Sequence, residues 1–265
     1  MWLPWSKSIT IALGVDGIAI CSEGSPPQVL HASDGWFQSA KDVVEALKGL
    51  QTEHAHVAVK YIVSNHFVRY SVLPWQPDIN SRQDWIALAM HDFRKRYGSI
   101  ADQWDVRVDL AGYGKSVLAC GMDKTLIEAM QAKGQERNWK VKSIEPLLMS
   151  LMRSLSLDRP NDWLLIGEPS RIVLCEFVNN QWANFSVINP PPGQEVAQAS
   201  QLISRASRQA ENAKIPKHVH ACLAPQLKGE WRFDDIQGIS PIMIKAVNVG
   251  KLHHPSTTAL WMANL

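Results

Sequence analysis

SITIALGVDGIAIC, residues 8–21, reads as two short strands folded back at the turn Gly14-Val15-Asp16-Gly17. A Gly/Asp cluster between two apolar runs is a hairpin signal. Gln28 to Ala32 adds a third strand beyond the breaker Ser25-Pro26-Pro27. Ser39 to Leu50 then carries apolar residues at 40, 43, 44, 47 and 50, the spacing of a helix. His56 to Val63 is nearly all apolar, the mark of a central strand covered on both faces. The first 63 residues therefore run strand, strand, strand, helix, strand.

The same order returns at DWLLIGEPSRIVLCEF, residues 162–177, with a strand over Asp162–Ile166, the turn Gly167-Glu168-Pro169-Ser170 and a strand over Arg171–Phe177. Asn179-Asn180 turns the chain into a third strand, Gln181 to Ile188. Pro190-Pro191-Pro192-Gly193 breaks it, Gln194 to Ala213 is a polar helix, and His218 to Leu223 is another strand. The two copies lie about 155 residues apart and share pattern and order more than identity, which implies a duplicated α/β body.

Between the copies, from about 64 to 142, the texture differs. Phe67 to Leu73 reads as a strand, and Ser81 caps a helix running to Tyr97. Trp104 to Leu110 alternates as a half-buried strand whose charged face is solvated, and Ser116 to Cys120 is its antiparallel partner. Met122 to Lys133 is a helix closed by Gly134. Lys140 to Ile144 is a strand, followed by a helix from Glu145 to Ser156. The expected division is a first lobe over 1–160 that contains this insert, and a shortened second lobe over 161–265.

Composition bounds the function classes. With 265 residues, 46% hydrophobic and 20% charged, the chain has ample material for a core and is neither disordered nor fibrous. Basic and acidic side chains nearly balance at 27 to 25, and the densest basic cluster is Arg94-Lys95-Arg96, read as an exposed helix end. A nucleic-acid partner is therefore not expected. The four cysteines form no CxxC pair, which excludes a zinc ribbon and argues against a disulfide framework. Cys21, Cys120 and Cys175 sit in apolar runs and are expected as buried reduced thiols. Met1 to Lys7 lacks the pattern of a signal peptide, and no window approaches about 18 uncharged apolar residues. A cytoplasmic protein without direct membrane insertion is expected.

Two βββαβ halves with a smaller strand-helix-strand-strand insert in the first resemble the actin-like ATPase superfamily, a ribonuclease H-like α/β fold. The insert looks like that of bacterial members of the FtsA and PilM type. More narrowly, Val63-Ser64-Asn65-His66-Phe67-Val68-Arg69-Tyr70 followed by Leu73-Pro74-Trp75 is similar to the family of PilM and the GspL cytoplasmic domain. So is Ala119 to Met149, with Met122-Asp123, a helix and then Ser143-Ile144-Glu145-Pro146. The similarity covers roughly residues 8–225 and rests on the order of these segments. It implies a scaffold of type IV pilus or type II secretion assembly. Such a scaffold binds the cytoplasmic segment of a membrane-anchored assembly protein, helps recruit an assembly ATPase, and meets the inner membrane through its partners.

Active members of the superfamily hold phosphate at an Asp-x-Gly hairpin turn in each half. The carboxylate serves the metal or its water, and glycine admits phosphate to the backbone. Here the two positions read Ala12-Leu13-Gly14 and Leu165-Ile166-Gly167, so both glycines are kept and both aspartates are missing. Asp16 and Glu168 lie nearby, but beyond their glycines. A Gly-Gly adenosine turn is also absent, since Gly229, Gly238 and Gly250 are isolated. No cofactor is expected, ATP with magnesium being the one the fold leaves open, and the residues weigh against ATP hydrolysis. The rival reading is a nucleotide-dependent enzyme of the same fold, an ATPase or small-molecule kinase, using Gly14, Asp16, Gly167 and Glu168.

Other candidates have plainer readings. His218 and His220 share a strand face with no acid or cysteine evident to complete a metal set, and the adjacent His253-His254 cannot both chelate easily. Ser64, His66, Asp84 and Asp92 can be assembled into a hydrolase set on paper, but no nucleophile elbow orders them, so no catalytic residue is assigned. Arg69 between Val68 and Tyr70 is read as pairing with an acid at a joint. Of eleven tryptophans, Trp75, Trp182, Trp231 and Trp261 adjoin loops or turns in this reading. Trp2, Trp5 and Trp75 are the expected partner-binding anchors, since aromatics outside periodic segments serve as interface hot spots.

Overall fold

The computed structural model describes residues 8–52, 56–155, 161–210, 216, 218–227, 243–246, 257–263 and 265. Strands β1 (Ser8–Leu13), β2 (Gly17–Ser22) and β3 (Gln28–His31) form an antiparallel meander. Helix α1 (Ala40–Gly49) leads to β4 (Ala58–Val63), which lies parallel to β1. Ser39 and Asp42 form a capping box at the start of α1, with Asp42 accepting the Ser39 N–H at 2.9 Å. Val43 and Leu47 make its buried stripe.

Next come β5 (Val68–Leu73), α2 (Arg82–Tyr97), β6 (Trp104–Leu110) and β7 (Val117–Asp123), a strand-helix-strand-strand piece whose three strands form one sheet in the order β5-β7-β6. Trp85, Ala89 and Phe93 of α2 pack on Leu73, Trp104, Val106, Val108 and Val117. The insert therefore has an apolar core of its own. Helix α3 (Lys124–Glu136), β8 (Lys140–Pro146) and α4 (Leu147–Ser154) complete the first half, with β8 parallel to β4. Gly134, expected to close α3, lies inside it. A Cβ there would stand 2.6 Å from a methyl of Val141, so the glycine serves close packing of α3 on β8.

The second half repeats the plan. β9 (Trp163–Glu168), β10 (Arg171–Val178) and β11 (Gln181–Ile188) are antiparallel, α5 (Glu195–Gln209) follows, and β12 (His218–Leu223) is parallel to β9. The short strand β13 (Met243–Ala246) joins β12 in parallel, and α6 (Thr258–Ala263) follows. The two five-stranded sheets run β3-β2-β1-β4-β8 and β11-β10-β9-β12-β13, one order with one set of orientations. Trp163, Leu165, Ile172, Leu174, Val219 and Leu223 meet Ala199, Leu202 and Ile203 of α5 in the second core.

In space the chain forms two compact units, residues 1–68, 122–154 and 249–265 in one and residues 69–121 and 155–248 in the other. This grouping cuts the chain differently from a boundary at 160/161. It sets residues 69–121 of the insert with the second copy, and α3, β8 and α6 with the first.

Candidate functional site

The registers align the two hairpin turns residue by residue. Leu13 pairs with Val63 and Ile18 in the first sheet, as Gly167 pairs with Leu223 and Ile172 in the second. A backbone bond marks the same correspondence: Ser64 N–H donates to the Leu13 carbonyl at 2.9 Å, and Ala224 N–H to that of Gly167 at 2.7 Å. Gly14-Val15-Asp16-Gly17 thus matches Glu168-Pro169-Ser170-Arg171. The two expected phosphate glycines are not equivalent. Gly14 answers to Glu168, and Asp16 answers to Ser170.

The first turn is closed on itself and on α6. Gly14 N–H donates to the Gly17 carbonyl at 2.9 Å, and Asp16 and Val15 give their carbonyls to Ala32 and Phe37. The Asp16 carboxylate accepts the N–H groups of Thr258 at 2.6 Å and Ala259 at 3.1 Å. These are donors that a helix start leaves without intrahelical partners. The approach is tight, since a Cβ on Gly14 would lie 2.7 Å from the Ala259 nitrogen. Gly14 is therefore needed here because α6 comes so close.

The second turn is built differently. Gly167 lies within β9, and a Cβ there would meet Leu223 at 2.8 Å and Leu227 at 3.2 Å, so it serves core packing. The sequence reading placed it in the turn; the strand extends through it to Glu168 because the buried ladder continues. Glu168 itself is buried. Ser170 takes a positive φ of 56°, and its N–H donates to Glu195 Oε1 at 3.3 Å. Glu195 opens α5 and is buried, and its second carboxylate oxygen meets no hydrogen-bond partner among the described residues.

Arg171, beside this turn, is buried and donates to Asn189 Oδ1 at 3.1 Å. Burial first, then the positive charge of Arg69, pulls its guanidinium down to about 10. Arg69 on β5 thus has a second cation near it, a neighbour the sequence did not reveal.

The remaining candidates are found in separate places. Trp75 is half-buried in the insert, tilted against Trp85 (ring centroids 5.6 Å apart) and edge-on to the exposed Tyr113 (5.0 Å). Trp2 and Trp5 lie outside the described residues, as do Trp231, His253, His254, Gly229, Gly238 and Gly250. Trp182 is the second residue of β11 after the Asn179-Asn180 turn and packs on Phe177, and Trp261 is buried in α6. Asp162 supplies the acid that seemed missing beside the histidines: His220 Nε2 lies 2.7 Å from one carboxylate oxygen and His218 Nδ1 3.5 Å from the other. Among the described residues, no three His, Cys, Asp or Glu side chains are placed to hold a metal ion.

Asp84 serves the Ser81 cap of α2, while Asp92 accepts from Ser71 at 2.6 Å and pairs with Arg96. Ser64 is buried and accepts the His66 N–H at 3.2 Å. Cys175 and Cys222 are buried, while Cys21 and Cys120 are only partly covered. Among the described residues no helix is long and apolar enough to cross a membrane.

No protein-family model matches the chain, and no curated protein matches it in sequence. Solved structures do. The cytoplasmic domain of EpsL, an inner-membrane component of the type II secretion system of Vibrio cholerae, matches 97% of this chain and 93% of its own at 9% identity, with a TM-score of 0.52. A Bacteroides thetaiotaomicron protein of actin-like ATPase fold and unknown function matches 90% of both chains at 11% identity, with a TM-score of 0.55. A PilM–PilN type IV pilus biogenesis complex matches 91% of this chain and 88% of that one at 12% identity, with a TM-score of 0.53. The fold of this chain is actin-like.

Proposed function

We propose that this chain is an actin-like scaffold of type IV pilus or type II secretion assembly, and that it works without hydrolysing ATP. It binds the cytoplasmic segment of a membrane-anchored assembly protein, helps bring in an assembly ATPase, and reaches the inner membrane through that partner. Support for the context comes from fold likeness to the EpsL cytoplasmic domain and to a chain of the PilM–PilN complex.

The observation that carries the absence of hydrolysis is the bond from Asp16 to the start of α6. A magnesium nucleotide needs turn backbone open to phosphate oxygens and a carboxylate free for the metal or its water. Here the carboxylate is committed to two amides, and α6 stands against Gly14. At the second turn Glu168 replaces glycine, and the Glu195 carboxylate holds the Ser170 amide that a phosphate would use. Like charges brought together at low dielectric repel strongly. A nucleotide enzyme would first have to strip Asp16 from α6.

The partner half of the proposal is tested by affinity capture from detergent-solubilised inner membranes of the source cell, wild type beside Trp75→Ala. The expected result is recovery of a membrane-anchored assembly protein, reduced in the variant. Recovery of soluble proteins alone contradicts it.

A further inference from the structure

Strand β11 is an edge strand, and its sequence QWANFSVI contains neither a charge nor a proline. Natural sheets usually guard such an edge with lysine, proline, a bulge or a cover, because its open backbone pairs with any extended chain. Here the bulge and the hydrogen bond from the insert lie at one end, and within the remaining half Phe185 packs on Tyr70 of β5, ring centroids 4.6 Å apart, on the sheet face opposite Ile188. Ala183 is bulged out, since Asn184 pairs with Glu176 while Trp182 pairs with Phe177, and the Ser116 hydroxyl of the insert donates to the Trp182 carbonyl. From Asn184 to Ile188 the pairing with β10 is regular.

A groove of about 410 Å³ opens at the Ile188 end of that half, lined by Ile188 of β11 and by Gln198, Gln201, Leu202, Arg205 and Arg208 of α5. The α5 residues recur at helical spacing on one face, and none of the six is acidic. Both arginines are exposed, and neither forms an ion pair among the described residues.

We propose that the β11 edge, with this groove, docks an extended acidic segment of a partner protein. The segment adds to the sheet beside β11 through its backbone, and alternate carboxylates meet Arg205 and Arg208. Strand side chains on one face repeat at roughly 6.6 Å, close to the separation of helix residues three apart, so successive carboxylates reach successive arginines. Backbone pairing supplies affinity, and the arginines select charge and direction. This surface does not depend on the pilus or secretion context.

The test is fluorescence anisotropy with a labelled octapeptide of alternating valine and glutamate, beside one of valine and lysine, on the full chain. The acidic peptide is expected to bind, more weakly as salt rises, with slowed amide exchange at residues 184–188. The double variant Arg205→Glu/Arg208→Glu should weaken it by about tenfold or more with the melting temperature unchanged, because both side chains are surface charges. No binding of the acidic peptide up to about 1 mM overturns the proposal. So does equal binding of the lysine peptide, or binding that the double variant leaves unaltered.

Discussion

Asp16 and Thr258, 242 positions apart in the chain, are joined by a 2.6 Å bond from the Thr258 amide to the Asp16 carboxylate. Ala259 adds a second amide at 3.1 Å, and Leu260 N–H donates to the Thr257 hydroxyl at 3.0 Å. A six-residue helix is too short to stand alone, so α6 depends on such anchors and on burying Leu260, Trp261 and Met262. The carboxylate next to the first hairpin glycine is thereby a structural cap.

Asp16→Ala should lower stability by about 1–2 kcal/mol, the range for losing a good helix cap. Asp16→Asn, which keeps an acceptor but loses the charge, should cost less. Thermal melts of both, with limited proteolysis at the C-terminal segment, read the effect. Unchanged melting and unchanged cleavage in Asp16→Ala would contradict the role of the cap.

The two glycines should behave as packing residues. Gly14→Ala drives a methyl into the backbone of Ala259, and Gly167→Ala drives one into Leu223 and Leu227. Each should cost about 1–3 kcal/mol. The Gly14 change should be the harsher, because backbone yields less than a side-chain methyl. Chemical denaturation measures both, and a neutral Gly14→Ala would mean that α6 does not sit where it is described.

Trp75 and Tyr113 separate binding from folding. Tyr113 is 87% exposed, so Tyr113→Ala should leave the melting temperature nearly unaltered. Trp75 also packs against buried Trp85, so Trp75→Ala should lower it by a few degrees. If the pair anchors a partner, both substitutions reduce capture. Loss of capture only where folding is lost would remove Trp75 from the interface.

Stability should fall on the alkaline side. Burial raises the Cys120 thiol from 9.0 to about 11, and lifts Cys175, Tyr61 and Tyr70 well above their ordinary values. The unfolded chain gives up these protons first, so it binds fewer protons than the folded one and stability drops as pH rises. Arg171, lowered to about 10, acts in the opposite direction above that pH. Melting temperatures should therefore decline between about pH 8 and about pH 10, and less steeply in Cys175→Ala. A flat profile would contradict the burial of Tyr61, Tyr70 and Cys175.

Most of the fold was legible because its elements carry strong periodic signals. β1, β6, β11 and β12 match the sequence reading end to end, as does α2 behind its Ser81 cap. The misses are short or context-bound. β13 has four residues and α6 has six, too few for a period to declare itself. Gly134 and Gly167 looked like punctuation, but each is small because a neighbouring element passes close.

The site was less legible still. Asp16 showed itself as a carboxylate near a turn, but only the fold brings Thr258 and Ala259 to it. Glu195 opens an ordinary polar helix in sequence and gains its meaning from the Ser170 amide. Asp162 becomes a partner of two histidines only once β9 and β12 pair. Contacts between residues far apart in the chain leave no local pattern.

The measurement that tests the central claim most directly is calorimetric titration of the purified chain with Mg-ATP, paired with a thermal-shift scan. The account predicts no binding heat and no change in melting temperature at millimolar nucleotide. A true ligand present at about 100 times its dissociation constant would stabilise the fold by about 2.7 kcal/mol. A clear heat with that upward shift, lost in Asp16→Ala, would show that the carboxylate leaves α6 to serve a nucleotide, and would contradict the account.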